Sequence, residues 1–249
     1  NSGHPGGPMG GADFMHILYS EFLNFDPSDM SWPFRDRFFM DAGHLSTLLY
    51  AQYYLLGNYK KEDIKNFRQW GSVTPGHPEV DADRGIENTS GPLGQGHTMG
   101  VGAAIAAKFL AARFGDWMNH KIYGFISDGG VQEEISQGAG RIAGHLGLNN
   151  FIMFYDANDV QLSTMTDEVT SEDTAKKYEA WGWKVVTIDG HNHNEIEEAI
   201  INAKKSRKPS IIACKTTIGF GAPKLAGTSK THGAPLGDEE ITATRKALG

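Results

Sequence analysis

The stretch from Gly124 to Ser163, GFISDGGVQEEISQGAGRIAGHLGLNNFIMFYDANDVQLS, constrains this chain more than any other. Two continuous apolar runs, Ile122 to Ile126 and Phe151 to Tyr155, flank a segment of helical character that reaches about Leu146. Runs without polar alternation suit strands covered on both faces, and a helix between two such strands makes a parallel βαβ unit. Ligands of open parallel sheets sit outside the carboxyl ends of the strands. Asp128 and Asn158 would therefore face one site although thirty residues separate them. A carboxylate, an amide oxygen and the carbonyl of Val160 suit a hard divalent cation such as Mg²⁺ or Ca²⁺. A helix opening after Gly129 adds N–H groups and a positive dipole end, which favour a diphosphate. The unit points to a metal-bridged diphosphate. An ordinary turn with an aspartate cap is the plainer reading of Asp128 taken alone.

Further strands are expected at Arg37 to Asp41, Lys184 to Ile188 and Ser210 to Lys215. Helices are expected over Ala12 to Leu23, Leu45 to Leu56, His97 to Phe114, Glu172 to Trp181, Asn192 to Lys204 and Asp238 to Leu248. Alternation of this kind predicts an α/β fold with a doubly wound, mainly parallel sheet. Residues 1–249 are long enough for a large core and read as a single domain. A formal charge of −7, with no basic run longer than Lys204-Lys205, argues against nucleic acid or an anionic membrane as partner. No segment has the length and apolarity of a membrane span, and no signal peptide opens the chain. One cysteine, Cys214, in an apolar strand suits a reducing compartment, so the expected location is cytoplasmic. Asn1 opens the chain without a Met, inside a Gly- and Pro-rich segment, which leaves room for residues upstream.

Four histidines fall in Gly- and Pro-rich junctions: His4 in SGHPGG, His44 at the start of a helix, His77 in TPGHPEV and His232 in THGAPLG. A loop histidine is ordinarily just solvated, but these junctions should converge on the edge where Asp128 and Asn158 lie. The histidines are spaced wrongly for zinc, with no His-x-x-x-His pair on a helix and the only cysteine in a core strand. Imidazoles beside a diphosphate cofactor are suited to moving protons on and off hydroxyls near neutral pH. The segment Gly91-Pro-Leu93-Gly-Gln-Gly96 lets backbone approach a ligand, yet Met99 stands where a dinucleotide fingerprint needs its third glycine. That weakens a nicotinamide dehydrogenase reading. Asp189 ends a strand as Asp128 does, but reads as a plain turn, with His191 and His193 as solvated loop residues.

SGHPGGPMG, GHLSTLLY, TPGHPEV, SGPLGQG, SDGG with YDAN thirty residues later, IGFGAP and THGAPLG together resemble transketolase, in order and over nearly the whole chain. What they resemble is its amino-terminal, diphosphate-binding half. Transketolases move a two-carbon ketol unit from a ketose phosphate, such as xylulose 5-phosphate, to an aldose phosphate, such as ribose 5-phosphate, using thiamine diphosphate and a divalent metal. The resemblance implies that Asp128, Asn158 and the main-chain oxygen of Val160 hold Mg²⁺ or Ca²⁺. It places Gly129 and His44 near the diphosphate, and Gly91, Leu93 and Ile218 against the cofactor. His4 and His232 would handle the proton of the donor's C3 hydroxyl, and His77 would bind sugar hydroxyls. Glu133 aligns with a family acid near the subunit interface, although neighbouring Gln132 and Glu134 differ from the family's residues, and Ser127-Asp128-Gly129 stands where the family has Gly-Asp-Gly.

The family's pyrimidine-binding and carboxyl-terminal domains have no counterpart in these residues. The resemblance therefore implies a second half or C-terminal subunit as partner, in a homodimer or heterotetramer, and little activity from this chain alone. A scaffolding or regulatory subunit, and a related transferase with another acceptor such as formaldehyde, remain as alternatives.

Overall fold

The computed structural model describes residues 2–162 and 164–249; Asn1 and Ser163, which end two of the segments discussed above, lie outside the described residues. The described residues form one sheet of five parallel strands: β1 (Arg37–Met40), β2 (Ile122–Ser127), β3 (Phe151–Ala157), β4 (Lys184–Asp189) and β5 (Ser210–Lys215), in the order β1-β2-β3-β5-β4. The expected strands are present within two residues at each end, and the sheet is parallel throughout.

Helices cover both faces, which is why the central strands read as unbroken apolar runs. On one face lie α1 (Gly6–Gly10), α2 (Ala12–Ile17), α3 (Ser46–Leu55), with the short α4 (Lys61–Lys65) beside it. The other face carries α5 (Gln95–Phe114), then α6 (Asp128–Gln132) and α7 (Glu134–Leu146), and α8 (Thr174–Ala180). After β4, α9 (His193–Lys204) returns to the first face and delivers the chain to β5, between β3 and β4. The terminal α10 (Asp238–Leu248) follows the last loop.

On the first face, Phe14 stacks on both Phe125 and Phe154 at 4.9 Å between ring centroids and is fully buried. Burial of one such side chain is worth about 1.5–3 kcal/mol. The aromatic stack ties α2 to the two strands whose ends carry Asp128 and Asn158.

Two expected helices differ from the sequence reading. The helix over Ala12 to Leu23 starts earlier, as α1, and ends in a π-helical turn over Leu18–Phe22. The helix after Gly129 is broken at Glu133, whose backbone is extended (φ −63°, ψ 134°), leaving a five-residue α6 before α7. Two adjacent glycines, Gly129 and Gly130, make that first turn weak in propensity. The Gln132 side chain instead donates to the Asp128 carbonyl at 3.0 Å. The dipole expected behind the diphosphate site is accordingly that of one short turn, capped by Ser127 Oγ accepting from Gly130 N.

Candidate functional site

The strand register brings Ser127 level with Asp156, and Lys215 level with Asp189, so the carboxyl ends of the sheet form one edge. Above it lies a cleft of about 660 Å³. His4, His44, His77 and His232 all open onto it, together with Gly91, Leu93, Gly129, Glu133, Asn158, Val160 and Ile218. Asp128 is the one expected residue beneath the cleft floor rather than on it, being 2% exposed.

Close backbone approach assembles this edge from distant segments. A Cβ on Gly6 would sit 2.7 Å from Ile218 Cγ1 and from the Thr231 carbonyl oxygen, so only glycine lets α1 rest on the loop after β5. Gly219 N donates to Gly6 O at 2.8 Å across the same contact. His4 precedes α1 and His232 ends that loop, and their rings meet edge-on at 5.6 Å. His44 stacks on His232 at 5.3 Å and meets His4 at 5.0 Å. Asp41, at the end of β1, accepts from Gly94 N at 3.0 Å and His97 N at 2.9 Å, which fixes the loop carrying Gly91 and Leu93 at the start of α5.

Burial sets the protonation of the histidines, because a charged imidazole loses hydration. His4 is pushed down to about 4 by burial first, then by His232, Arg68 and His77. His44 falls to about 3, by burial and then by His232, His4 and His77. His77 is lowered by burial and Arg68, and His232 by burial. The cluster is a set of neutral imidazoles at neutral pH, able to accept protons.

The acidic floor is built on the ends of β2 and β3. Asp128 accepts from Tyr155 Oη at 2.5 Å, Asn158 N at 3.1 Å and Asp159 N at 3.0 Å. Asn158 donates its amide to Asp156 at 3.0 Å and accepts from Val160 N at 3.0 Å through Oδ1. Asp128, Asn158 and Val160 are thus adjacent. Burial raises Asp128 to about 6, partly offset by the Tyr155 hydrogen bond. Asp156, fully buried, rises to about 7 through burial, opposed by its hydrogen bond from Thr216 and reinforced by the Asp128 charge.

Asp156, Tyr155 and Arg68 were missed in the sequence reading. Strand alternation puts residues 156 and 158 on one side of β3, so the Asp-x-Asn spacing carried a signal for Asp156. Arg68 reaches His4 from a separate loop and had none. His191 corrects an expectation: it is mostly buried and bonded through both ring nitrogens, to Asp13 at 3.0 Å and from Thr217 N at 3.0 Å. His193 is exposed as expected, although its Nε2 lies 3.3 Å from Asp13.

An open parallel sheet with a histidine-lined cleft at its carboxyl edge defines an α/β ligand-binding domain. The family model "Transketolase, thiamine diphosphate binding domain" matches residues 1–249. Transketolase 1 of Aliivibrio fischeri is 48% identical over 255 residues, and transketolase 2 of Escherichia coli K12 is 46% identical over 256; each alignment takes all of this chain and 38% of the relative. Among solved structures, transketolase from Campylobacter jejuni superimposes with a TM-score of 0.96 at 45% identity, over 100% of this chain and 39% of its own. Transketolase from Pichia stipitis in complex with sedoheptulose-7-phosphate gives 0.93 at 40% identity, over 99% of this chain and 37% of its own. This chain belongs to the transketolase family, as its thiamine diphosphate binding domain. It spans less than two-fifths of the length of these relatives.

Proposed function

We propose that residues 1–249 form the single diphosphate- and metal-binding domain of a transketolase, which transfers a two-carbon ketol unit between sugar phosphates once a pyrimidine-binding second half is present. The observation that carries this reading is the convergence of buried Asp128, its partner Asn158 and four neutral histidines on one cleft.

The donor set fits a divalent cation. Two buried carboxylates, Asp128 and Asp156, lie close enough for the Asp128 charge to raise Asp156, and their described partners are hydroxyls, an amide and main-chain N–H groups, with no cationic side chain among them. Asp128, Asn158 and the Val160 carbonyl would hold Mg²⁺ or Ca²⁺. Gly129 would lie beside the diphosphate, since even a Cβ there would meet only Leu93 at 3.1 Å and backbone is open to the cleft. His44, Gly91, Leu93 and Ile218 would border the cofactor. Thiamine diphosphate, when bound, supplies an electron sink for breaking a carbon–carbon bond next to a carbonyl. His4 and His232, neutral and in ring contact, would take and return the proton of the donor's C3 hydroxyl, while His77 at the rim would bind sugar hydroxyls.

Partner binding is supported by an apolar surface on the paired helices α5 and α7. Met99, Ile105 and Phe109 are exposed on one, and Ile135, Ile142 and Leu146 on the other. Gly102 and Gly138 between them have open space where a Cβ would be. Such a surface suits a homodimer or heterotetramer. Glu133, beside it and open to the cleft, would face the cofactor at that boundary. Among the described residues no helix is long and apolar enough to cross a membrane. The proposed cytoplasmic location rests on Cys214, which is buried and unpaired.

The test is turnover of xylulose 5-phosphate with ribose 5-phosphate by this chain with and without the second half. Activity is expected only from the complete assembly. Robust turnover by the isolated chain would overturn the requirement for a partner, and an inactive assembly would overturn the transketolase assignment.

A further inference from the structure

His191 lies outside the cleft, yet it is one of the most fully engaged histidines of the described chain. Its backbone is set by a turn after β4, in which His191 N donates to Asp189 Oδ1 at 2.9 Å. Gly190 N donates to Lys215 O at 2.9 Å, and a Cβ on Gly190 would sit 2.5 Å from Thr216 Cγ2. This close approach delivers His191 directly beneath the segment leaving β5. There the imidazole stacks on Phe220, 3.8 Å between centroids and 15° between planes.

The hydrogen bonds define the ring's orientation and tautomer. Thr217 N–H can only donate, so Nε2 accepts, at 3.0 Å. The ring proton then lies on Nδ1 and is donated to Asp13 Oδ2, also at 3.0 Å. Asp13 begins α2, the helix whose Phe14 is clamped between β2 and β3, so the carboxylate has a rigid base.

Thr217 is joined on either side to groups already placed at the cleft. Thr216 Oγ1 donates to Asp156, which in turn accepts from Asn158. Ile218 is 2% exposed and lines the cleft wall. One main-chain N–H held by His191 thus separates the acidic floor from the hydrophobic wall.

We propose that Asp13 and His191 form a positioning pair that holds the Thr216–Ile218 segment in the conformation required to receive the cofactor. This rests on the thiamine diphosphate reading above. The ring touches neither cofactor nor substrate; it acts through the Thr217 amide. The arrangement follows the general rule that a ligand-contacting segment is held by a second layer of hydrogen bonds which fix its geometry.

The experiment uses the complete assembly and three variants. His191→Phe keeps the stack on Phe220 and removes both hydrogen bonds. His191→Gln provides an amide oxygen able to accept from Thr217 N–H. In Asp13→Asn the amide can donate to Nδ1 and move the ring proton to Nε2, against the Thr217 N–H. Three quantities are measured: thiamine diphosphate affinity with Mg²⁺ by calorimetry, hydrogen exchange at Thr217, and the His191 tautomer by ¹⁵N NMR.

The wild type is expected to hold the Nδ1–H tautomer. His191→Phe and Asp13→Asn are each expected to weaken cofactor binding about tenfold and speed Thr217 exchange, while His191→Gln recovers to within about threefold of wild type. Equal losses in His191→Phe and His191→Gln would reduce the residue to packing and overturn the proposal. Wild-type exchange and affinity in His191→Phe, or an Nε2–H tautomer in the wild type, would overturn it as well. A wild type that fails to bind thiamine diphosphate would overturn the cofactor reading instead, and Thr217 exchange would still decide whether the pair holds the segment.

Discussion

Arg68 Nη2 lies 3.3 Å from His4 Nδ1. A guanidinium has donors only, so Nδ1 of His4 accepts and the proton of the neutral ring resides on Nε2, which lies next to Gly233 on the loop that carries His232. Arg68 holds this contact from a left-handed backbone conformation (φ 60°), uncommon for a residue other than glycine and costing about 1–3 kcal/mol. Its permanent positive charge lies against His4 and adds to burial and to His232 in keeping that ring unprotonated.

Arg68→Met should therefore raise the His4 pKa from about 4 part of the way towards 6.5, burial remaining the larger cause. The sign is that of a base recovering affinity for its proton: at a given acidic pH, more of His4 is blocked. Histidine NMR titration of the isolated chain should show His4 taking up its proton at a higher pH in the variant than in the wild type, by less than the effect of burial. An unmoved His4 titration would remove Arg68 from this role.

Gly6→Ala should be costly and Gly102→Ala beneficial, although both glycines are helical. The first Cβ would meet the Ile218 side chain and the Thr231 backbone at 2.7 Å. Since a backbone atom cannot swing aside, α1 must part from the loop, at about 1–3 kcal/mol. Ile218 and His232 move with that loop, so weaker thiamine diphosphate binding should accompany the lower melting temperature. At Gly102 the Cβ meets nothing, and alanine inside an α-helix should stabilise the isolated chain by about 0.5–1 kcal/mol. Thermal melts of the two variants check both signs.

The sheet was legible in the sequence because its central strands are covered on both sides, which leaves runs such as FIMFY and SIIAC with no polar interruption. The four cleft histidines were legible for a related reason: each sits where a strand or loop ends at the sheet's carboxyl edge, and topology alone brings such ends together. What sequence could not convey was the partner of a side chain across the fold. His191, in Gly-His-Asn-His after a strand, has the local signature of a solvated turn, and its two partners are 178 and 26 residues away. The break at Glu133 was hidden because Gln132, Glu133 and Glu134 have helical character in themselves, although Gly129 and Gly130 weaken the turn before them.

Asp128→Ala should abolish the rise in melting temperature that Mg²⁺ and thiamine diphosphate together confer on the wild type. Asp128 is the carboxylate of the proposed donor set, and its removal leaves only neutral oxygens, those of Asn158 and Val160, for a cation that prefers anionic ones. The wild-type shift follows mass action, about 2.7 kcal/mol when the cofactor is at a hundred times its Kd. Asn158→Ala should reduce the shift without eliminating it. Equal ligand-induced shifts in Asp128→Ala and the wild type would place the cation elsewhere.

His97 should make the fold sensitive to acid. It stands in the first turn of α5, is 1% exposed, stacks near Phe151 and Tyr178, and has no hydrogen-bond partner at either ring nitrogen among the described residues. Burial pushes its pKa down from 6.5 to about 3. The unfolded chain thus takes up this proton at a higher pH than the native one, and stability falls as pH drops below 6.5, levelling only near 3. His97→Phe preserves the stacked ring and removes the titration. The two proteins should have similar stability near pH 8, with the variant more stable by roughly 3 kcal/mol at pH 4. Partly buried His4 and His44 give the wild type further acid sensitivity of the same sign, so the informative quantity is the difference between the two unfolding curves. Parallel stability profiles from pH 8 to pH 4 in urea titrations would show that His97 finds a proton acceptor or water in solution and is not held as an unpaired neutral ring.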